Sequence, residues 1–212
     1  MGFFMASAIR YHEGDISAAD AARYTGAIAI DTETLGLIPR RDRLCVVQLS
    51  SGDGSADVIR IAAGQKEAPN LVAMLEDPSR HKIFHYGRFD IAVLFHTFGV
   101  TTTPVFCTKI ASRLTRTYTD RHGLKENLKE MLDVDISKQQ QSSDWAAETL
   151  SQAQLEYAAS DVLHLHALRD KLMARLVRDG RLPHAEACFT FLPTRAKLDL
   201  IGWEETDIFA HS

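Results

Sequence analysis

The stretch AIAIDTETLGL, Ala27–Leu37, decides how this chain is read. It opens as a buried β-strand does, with small and β-branched residues. It then places Asp31 and Glu33 two residues apart where the strand ends. Alternate residues of a strand share a face, so Ala27, Ala29, Asp31 and Glu33 lie on one side and Ile28, Ile30 and Thr32 on the other. Small residues lead up to the acids and leave room above them. Two carboxylates this close repel, and partial burial strengthens the repulsion, so the pair calls for a cation or a retained proton. A solvated strand end explains a single Asp well but a same-face pair on so apolar a strand poorly.

Outward from this strand, RLCVVQLS and ADVIRI complete a meander, with IPRRD and SGDGS as the turns. NLVAMLED reads as a helix, HKIFHY as a strand, and FDIAVLFHTF as a helix stopped by Gly99. After a short strand at PVFCT the pattern turns helical at KIASRLTR and LKENLKEML. A long helix is expected from Ser151 to Arg178, opened by a Ser151/Gln154 capping box and ended at Gly180. Strands followed by helices imply an α/β fold, a mixed sheet flanked by helices. We expect one domain over residues 1–212, with its core at about 25–180 and residues 181–212 serving packing or subunit contacts.

The 212 residues are 45% apolar and 25% charged, and no apolar run is long enough to span a bilayer. That excludes a membrane role from the expectation. MGFFMASAIR reads as a flexible lead-in, since Ala6 stands where a myristoylation signal needs Ser or Thr. Cys45, Cys107 and Cys188 have no CxxC spacing, so reduced thiols in a cytoplasmic protein are expected. The net charge of −4 argues against gripping long nucleic acid through a basic surface, though not against a short nucleic-acid substrate.

Two further acids join the pair. Along the long helix, Tyr157, Asp161, Leu165, Leu168 and Leu172 recur at helical spacing, so Asp161 interrupts an apolar stripe and Tyr157 lies one turn before it. Asp90, in HYGRFD, sits where a strand gives way to a helix, a place favourable for any Asp. Four carboxylates and a tyrosine from three elements suit hard divalent cations. A pair of such ions can stabilise both oxygens of a phosphoryl displacement.

DTE, HYGRFD and YAASD, in this order, resemble the three exonuclease motifs of the DEDD superfamily. The match is to its tyrosine-bearing branch, which includes ribonuclease D and proofreading exonuclease domains. SKQQQSSDW resembles the segment that ribonuclease D carries before its last motif. The resemblance implies a ribonuclease H-like fold and 3′→5′ exonuclease activity. It implies two divalent cations, Mg²⁺ or Mn²⁺, held by Asp31, Glu33, Asp90 and Asp161, with Tyr157 orienting the attacking water. One departure is that the second motif more often has Asn where this chain has Tyr86.

RLCVVQLSSGDG, FCTKIASRLTRTYTDRHGLK and LDLIGWEETDIFAHS resemble a compact form of the family that degrades very short RNAs, dinucleotides included. This implies short RNA as substrate and a homo-oligomer, an octameric ring. Leu37 is then either a wedge between two bases or an ordinary core or turn residue. Candidate phosphate donors are His85, Arg88, Arg116, Arg121, His122, Lys125 and Lys138, each otherwise a solvated charge. Gln141, Ser142, Ser143 and Trp145 are candidates for the pocket wall, Trp145 either as a stacking platform or as a residue buried on the long helix. Trp203, Ile208 and Phe209 read as a subunit contact. A dinucleotide-preferring exoribonuclease competes with a general trimmer of longer RNA or single-stranded DNA and with a non-catalytic scaffold. The complete acid set opposes the scaffold.

Overall fold

Strand β2, Ile28–Thr34, lies inside a six-stranded sheet ordered β1-β4-β3-β2-β5-β6 in a computed structural model that describes residues 8–211. It pairs antiparallel with β3, Leu44–Ser50, which pairs antiparallel with β4, Ser55–Arg60. On its other side β5, Lys82–Phe84, and β6, Val105–Cys107, run parallel. Every residue of β3 is buried because helices cover both faces of the sheet, the pattern expected of a central strand in an α/β layer fold. The mixed sheet and the meander agree with the sequence reading.

Three expectations need correction. The lead-in is structured from Ala8, where Ala8–Glu13 forms an edge strand, β1, parallel to β4; the myristoylation position lies outside the described residues. Polar side chains hold this edge, since Asp57 of β4 is fully buried and accepts bonds from Arg10 at 2.9 Å and from Tyr24 at 2.7 Å. His12 lies 2.8 Å away on the same carboxylate, and Arg23 at 3.0 Å completes the set. Apolar alternation in β1 is confined to Ile9 and Tyr11, and only Ile9 packs on the core, so such a strand leaves little trace in sequence.

The long helix is two. α6, Gln152–Leu163, and α7, Leu165–Arg178, meet at His164, whose φ of −103° and ψ of −2° break the helical run. The break lets α6 lie on β2, β3 and β4 while α7 packs against α4, Thr108–Thr115, and α5, Leu124–Leu132. The Ser151/Gln154 capping box is present. Finally, the core does not stop near residue 180. Helix α8, Leu182–Leu198, buries Ala185, Phe189, Leu192 and Ala196 in the main core, and Phe189 stacks on Phe106 at 4.7 Å.

Helices α1, Ala18–Ala21, and α2, Pro69–Glu76, pack against each other. Helix α3, Gly87–Phe98, ends as expected at Gly99, whose φ of +71° suits glycine because it has no Cβ to clash. Among the described residues no helix is long and apolar enough to cross a membrane. The three cysteines are free.

Candidate active site

The register of β2 on β3 places Asp31 opposite Gln48 and Glu33 opposite Val46, on the sheet face covered by α6. Gln48, fully buried among the apolar residues of β3, donates its side-chain amide to Asp31 Oδ2 at 2.8 Å. Helix α6 brings Asp161 over this face. Carboxylate oxygens of Asp31, Glu33 and Asp161 all lie within 4.8 Å of one another. Asp90 arrives from α3 and is buried, held by Thr32, whose hydroxyl donates to its Oδ1 at 2.7 Å. It stands outside that three-acid cluster but lines the same cavity.

Burial pushes all four carboxyls above their ordinary range. Asp31 is raised well up, first by burial and then by Asp90, Asp161 and Glu33. Glu33 reaches about 9 by burial, reinforced by Asp161 and Asp90. Asp161 and Asp90 rise to about 7, mainly by burial. Such a set binds protons tightly unless positive charge is supplied, and its all-oxygen chemistry fits a hard divalent cation. The Tyr157 phenol is also raised, by burial and then by Asp161, Glu33 and Asp31, so its hydroxyl keeps its proton at neutral pH.

All four acids line one cavity of about 590 Å³. Leu37, 85% exposed, stands on its wall. That exposure removes the ordinary core reading of this leucine. Gln141, Ser142, Ser143, Lys125 and Lys138 also line the cavity. Both lysines already face carboxylates, Lys125 with Asp135 at 3.0 Å and Lys138 with Glu126 at 3.5 Å. Trp145 lines the cavity yet is only 2% exposed, packed on Val46, Val58 and Ala158 and tilted against Tyr157 at 5.9 Å. It packs and does not offer a free stacking face.

Several phosphate candidates are otherwise engaged. Arg88 donates to both oxygens of Asp199 and to the Glu204 carbonyl. Arg116 is buried against Glu130, Ser112 and Asn127. The His122 ring lies 2.9 Å from Ser112 Oγ, and Arg121 is exposed away from the cavity lining. His85 lines the cavity, but burial lowers it to about 3 and its Nδ1 lies 2.9 Å from Thr108 Oγ1, so it is neutral.

The sequence reading missed Lys109. It lies on the cavity wall with its ammonium 4.2 Å from the Tyr86 ring centre, and among the described residues it has no ion-pair partner. Its position one residue into a helix after a parallel strand was the available signal, since such strand ends commonly face a ligand in open α/β sheets. Gln48 and Thr32 were missed as well, although a lone Gln in RLCVVQLS was visible.

Carboxylates gathered at the end of a sheet strand, with a protonated phenol beside them, define the class of metal-dependent phosphodiester hydrolases. A family profile described as 3′-5′ exonuclease matches residues 15–177, and the chain belongs to that family. Brucella melitensis NrnC, a nanoRNase C, is similar over the whole of its own chain. Its structure with bound Mg²⁺ is 68% identical with a TM-score of 0.93, and that bound to pGG is 69% identical with a TM-score of 0.94; they cover 97% and 98% of this chain. A structure described as the apo form of a nuclease is 88% identical, with a TM-score of 0.96, over 98% of this chain and 100% of that one. Ribonuclease D of Gluconacetobacter diazotrophicus is 36% identical over 73% of this chain, which spans 39% of that relative's length.

Proposed function

We propose that the chain is a 3′→5′ exoribonuclease of very short RNAs, dinucleotides foremost, that releases nucleoside 5′-monophosphates in the cytoplasm. The observation that carries the reading is Leu37, an almost fully exposed leucine on the wall of the cavity that the carboxylate cluster also lines. An apolar side chain there can lie between two bases with little regard to sequence. The pGG bound by the similar Brucella protein supports the substrate class.

Asp31, Glu33, Asp90 and Asp161 would hold two Mg²⁺ or Mn²⁺ ions, which supply charge to both the attacking and the leaving oxygen of the scissile phosphodiester. Gln48 and Thr32 fix the orientation of Asp31 and Asp90. Tyr157, protonated at neutral pH, positions the attacking water through its hydroxyl and is a poor proton acceptor. Lys109 is the cation available to a second phosphate of the substrate. The apolar tail side chains Ile201, Trp203 and Phe209, at 70%, 45% and 78% exposure, support a homo-oligomer, with the octameric ring of the sequence resemblance as its form.

Likeness to ribonuclease D supports a second reading, trimming of longer RNA or single-stranded DNA. Turnover of end-labelled RNAs from two to ten nucleotides with Mg²⁺ separates them. Dimers cleaved fastest, with mononucleotide products, support the first; ten-mers cleaved as fast as dimers refute it.

A further inference from the structure

The loop that carries Leu37 leaves β2 at Thr34 and rejoins the sheet at Leu44, after a shift in strand register between Glu33 and Thr34. Three apolar side chains in it, Leu35, Leu37 and Ile38, are 53%, 85% and 43% exposed, so little packing holds it. Hydrogen bonds hold it instead: the Thr34 hydroxyl donates to the Gly36 carbonyl, Arg40 meets Glu204 at 2.7 Å, and Asp42 makes the most bonds within the loop. Asp42 is 8% exposed, and its Oδ2 accepts the backbone N–H of Ile38 at 2.9 Å. The Asp42 N–H in turn donates to the Ile38 carbonyl at 2.8 Å, closing the loop on itself. Arg41 donates Nε and Nη2 to the two oxygens of the same carboxylate at 2.7 and 2.9 Å.

Gly36, the residue before Leu37, lies directly against this carboxylate. A Cβ at position 36 would fall 2.3 Å from Asp42 Oδ2 and 2.8 Å from its carboxyl carbon, closer than real Cβ contacts come. Any side chain at position 36 must therefore displace the Asp42 carboxylate, so the glycine and the acid are fitted to each other. Asp42 lines no part of the carboxylate cavity and belongs to none of the acid clusters able to hold a metal.

We propose that Asp42 is a positioning residue for substrate specificity: seated on Gly36 and bonded to Ile38, it fixes the loop so that Leu37 projects over the cavity. The inference rests on the short-RNA reading above and adds what sets the wedge. A hydrogen bond to a charged acceptor is worth about tenfold in an equilibrium, so losing it in the loop raises KM by about that factor. The acids stand on β2, α3 and α6, so kcat changes little.

The test measures KM and kcat on a dinucleotide and a ten-mer RNA with Mg²⁺, together with Tm, for Asp42→Ala, Asp42→Asn, Gly36→Ala, Leu37→Ala and the Gly36→Ala/Asp42→Ala pair. Expected are a roughly tenfold rise in dinucleotide KM for Asp42→Ala with kcat within about twofold, and substantial recovery in Asp42→Asn, which keeps an acceptor for Ile38. Gly36→Ala matches Asp42→Ala. The double variant is no worse than either, because removing the carboxylate makes room for the new methyl. A tenfold loss in Leu37→Ala with none in Asp42→Ala overturns the positioning role alone, as does simple addition of the Gly36 and Asp42 losses. An unchanged KM in Leu37→Ala refutes the wedge and the positioning role with it. Wild-type turnover of ten-mers as fast as dimers defeats the length preference whatever these variants do.

Discussion

Asp161→Asn should make the metal-free protein more stable while abolishing its activity. Burial pushes the Asp161 carboxyl up to about 7, from an ordinary value of 3.8. At about 1.4 kcal/mol per pH unit, the ionised carboxylate burdens the fold by about 4 kcal/mol at most, and water entering the cavity reduces this to about 2–3 kcal/mol. The sign follows from linkage. Because the folded value exceeds the unfolded one, the folded state holds the proton more tightly. Well below pH 4 both states are protonated and the burden is absent; it grows between about pH 4 and 7 and is complete above 7. An isosteric amide cannot ionise, and it can donate to the neighbouring carboxylates. Thermal unfolding in EDTA at pH 8 should therefore place the Asn variant roughly 5–10 °C above wild type, with the gap closing toward pH 4–5. Mg²⁺ should raise the wild-type Tm at pH 8 and leave the variant much less affected. A variant that melts at or below wild type in EDTA at pH 8 refutes the reasoning, because the cluster would then not be held against its own repulsion.

Tyr157→Phe keeps the ring against Trp145 and removes only the hydroxyl; kcat should fall about a hundredfold with KM unchanged, in steady-state kinetics on a labelled dinucleotide. Lys109→Gln should raise KM about tenfold for a 5′-phosphorylated dinucleotide and much less for its 5′-hydroxyl counterpart, checked by comparing the two substrates. Its Tm should hold, since burial already lowers the lysine's affinity for its proton. Asp57 is held at about 2 by its bonds from Arg10, Tyr24 and His12 against the opposing effect of burial. Its folded value lies below the unfolded one, so it contributes stability above about pH 4 that is lost as the pH falls toward 2. Asp57→Asn should cost about 2 kcal/mol at neutral pH in a denaturant titration, with activity retained.

Legibility in the sequence followed the strength of local signals. The acids could be found because charge on an apolar strand or helix is costly without a purpose, and Asp31, Glu33 and Asp161 do come together. The meander, α3 and the capping box were visible through periodicity and turn chemistry. β1 was not, because it is a short edge strand in which Ile9 packs on the core while Arg10 and His12 join the polar Asp57 network. The break at His164 was hidden because the leucine spacing continues across it, and only the need to pack on both sheet and helices shows why the axis changes. Arg88 and Arg116 were named as phosphate candidates although neither lines the cavity, and the reason is general. Basic residues are plentiful and sequence gives no partner, so Arg88 and Arg116 could not be told from Lys109 before the carboxylates beside them were known.

The reassignment of Arg88 changes what the C-terminal segment does. Arg88 stands two residues before Asp90 on α3, and its fork is closed by Asp199, a side chain only 10% exposed and shared with Arg195 at 2.9 Å. Arg195 also donates to the Trp203 carbonyl, so the turn after α8 is tied down at both its start and its end. From there Glu204 reaches Arg40 at 2.7 Å, in the loop that presents Leu37. The two links differ in strength. An exposed pair such as Arg40–Glu204 contributes little by itself, whereas the bidentate Arg88–Asp199 pair, with its carboxylate mostly buried and its guanidinium half-buried, holds its geometry more firmly. A chain ending at Leu198 would keep the sheet and the acids, but it would leave the Arg88 guanidinium without its carboxylate beside the helix turn that carries Asp90. The tail thus bears on the cavity walls at two points, the start of α3 and the Leu37 loop, and Glu204 joins them by accepting from Arg88 at its carbonyl and from Arg40 at its carboxylate.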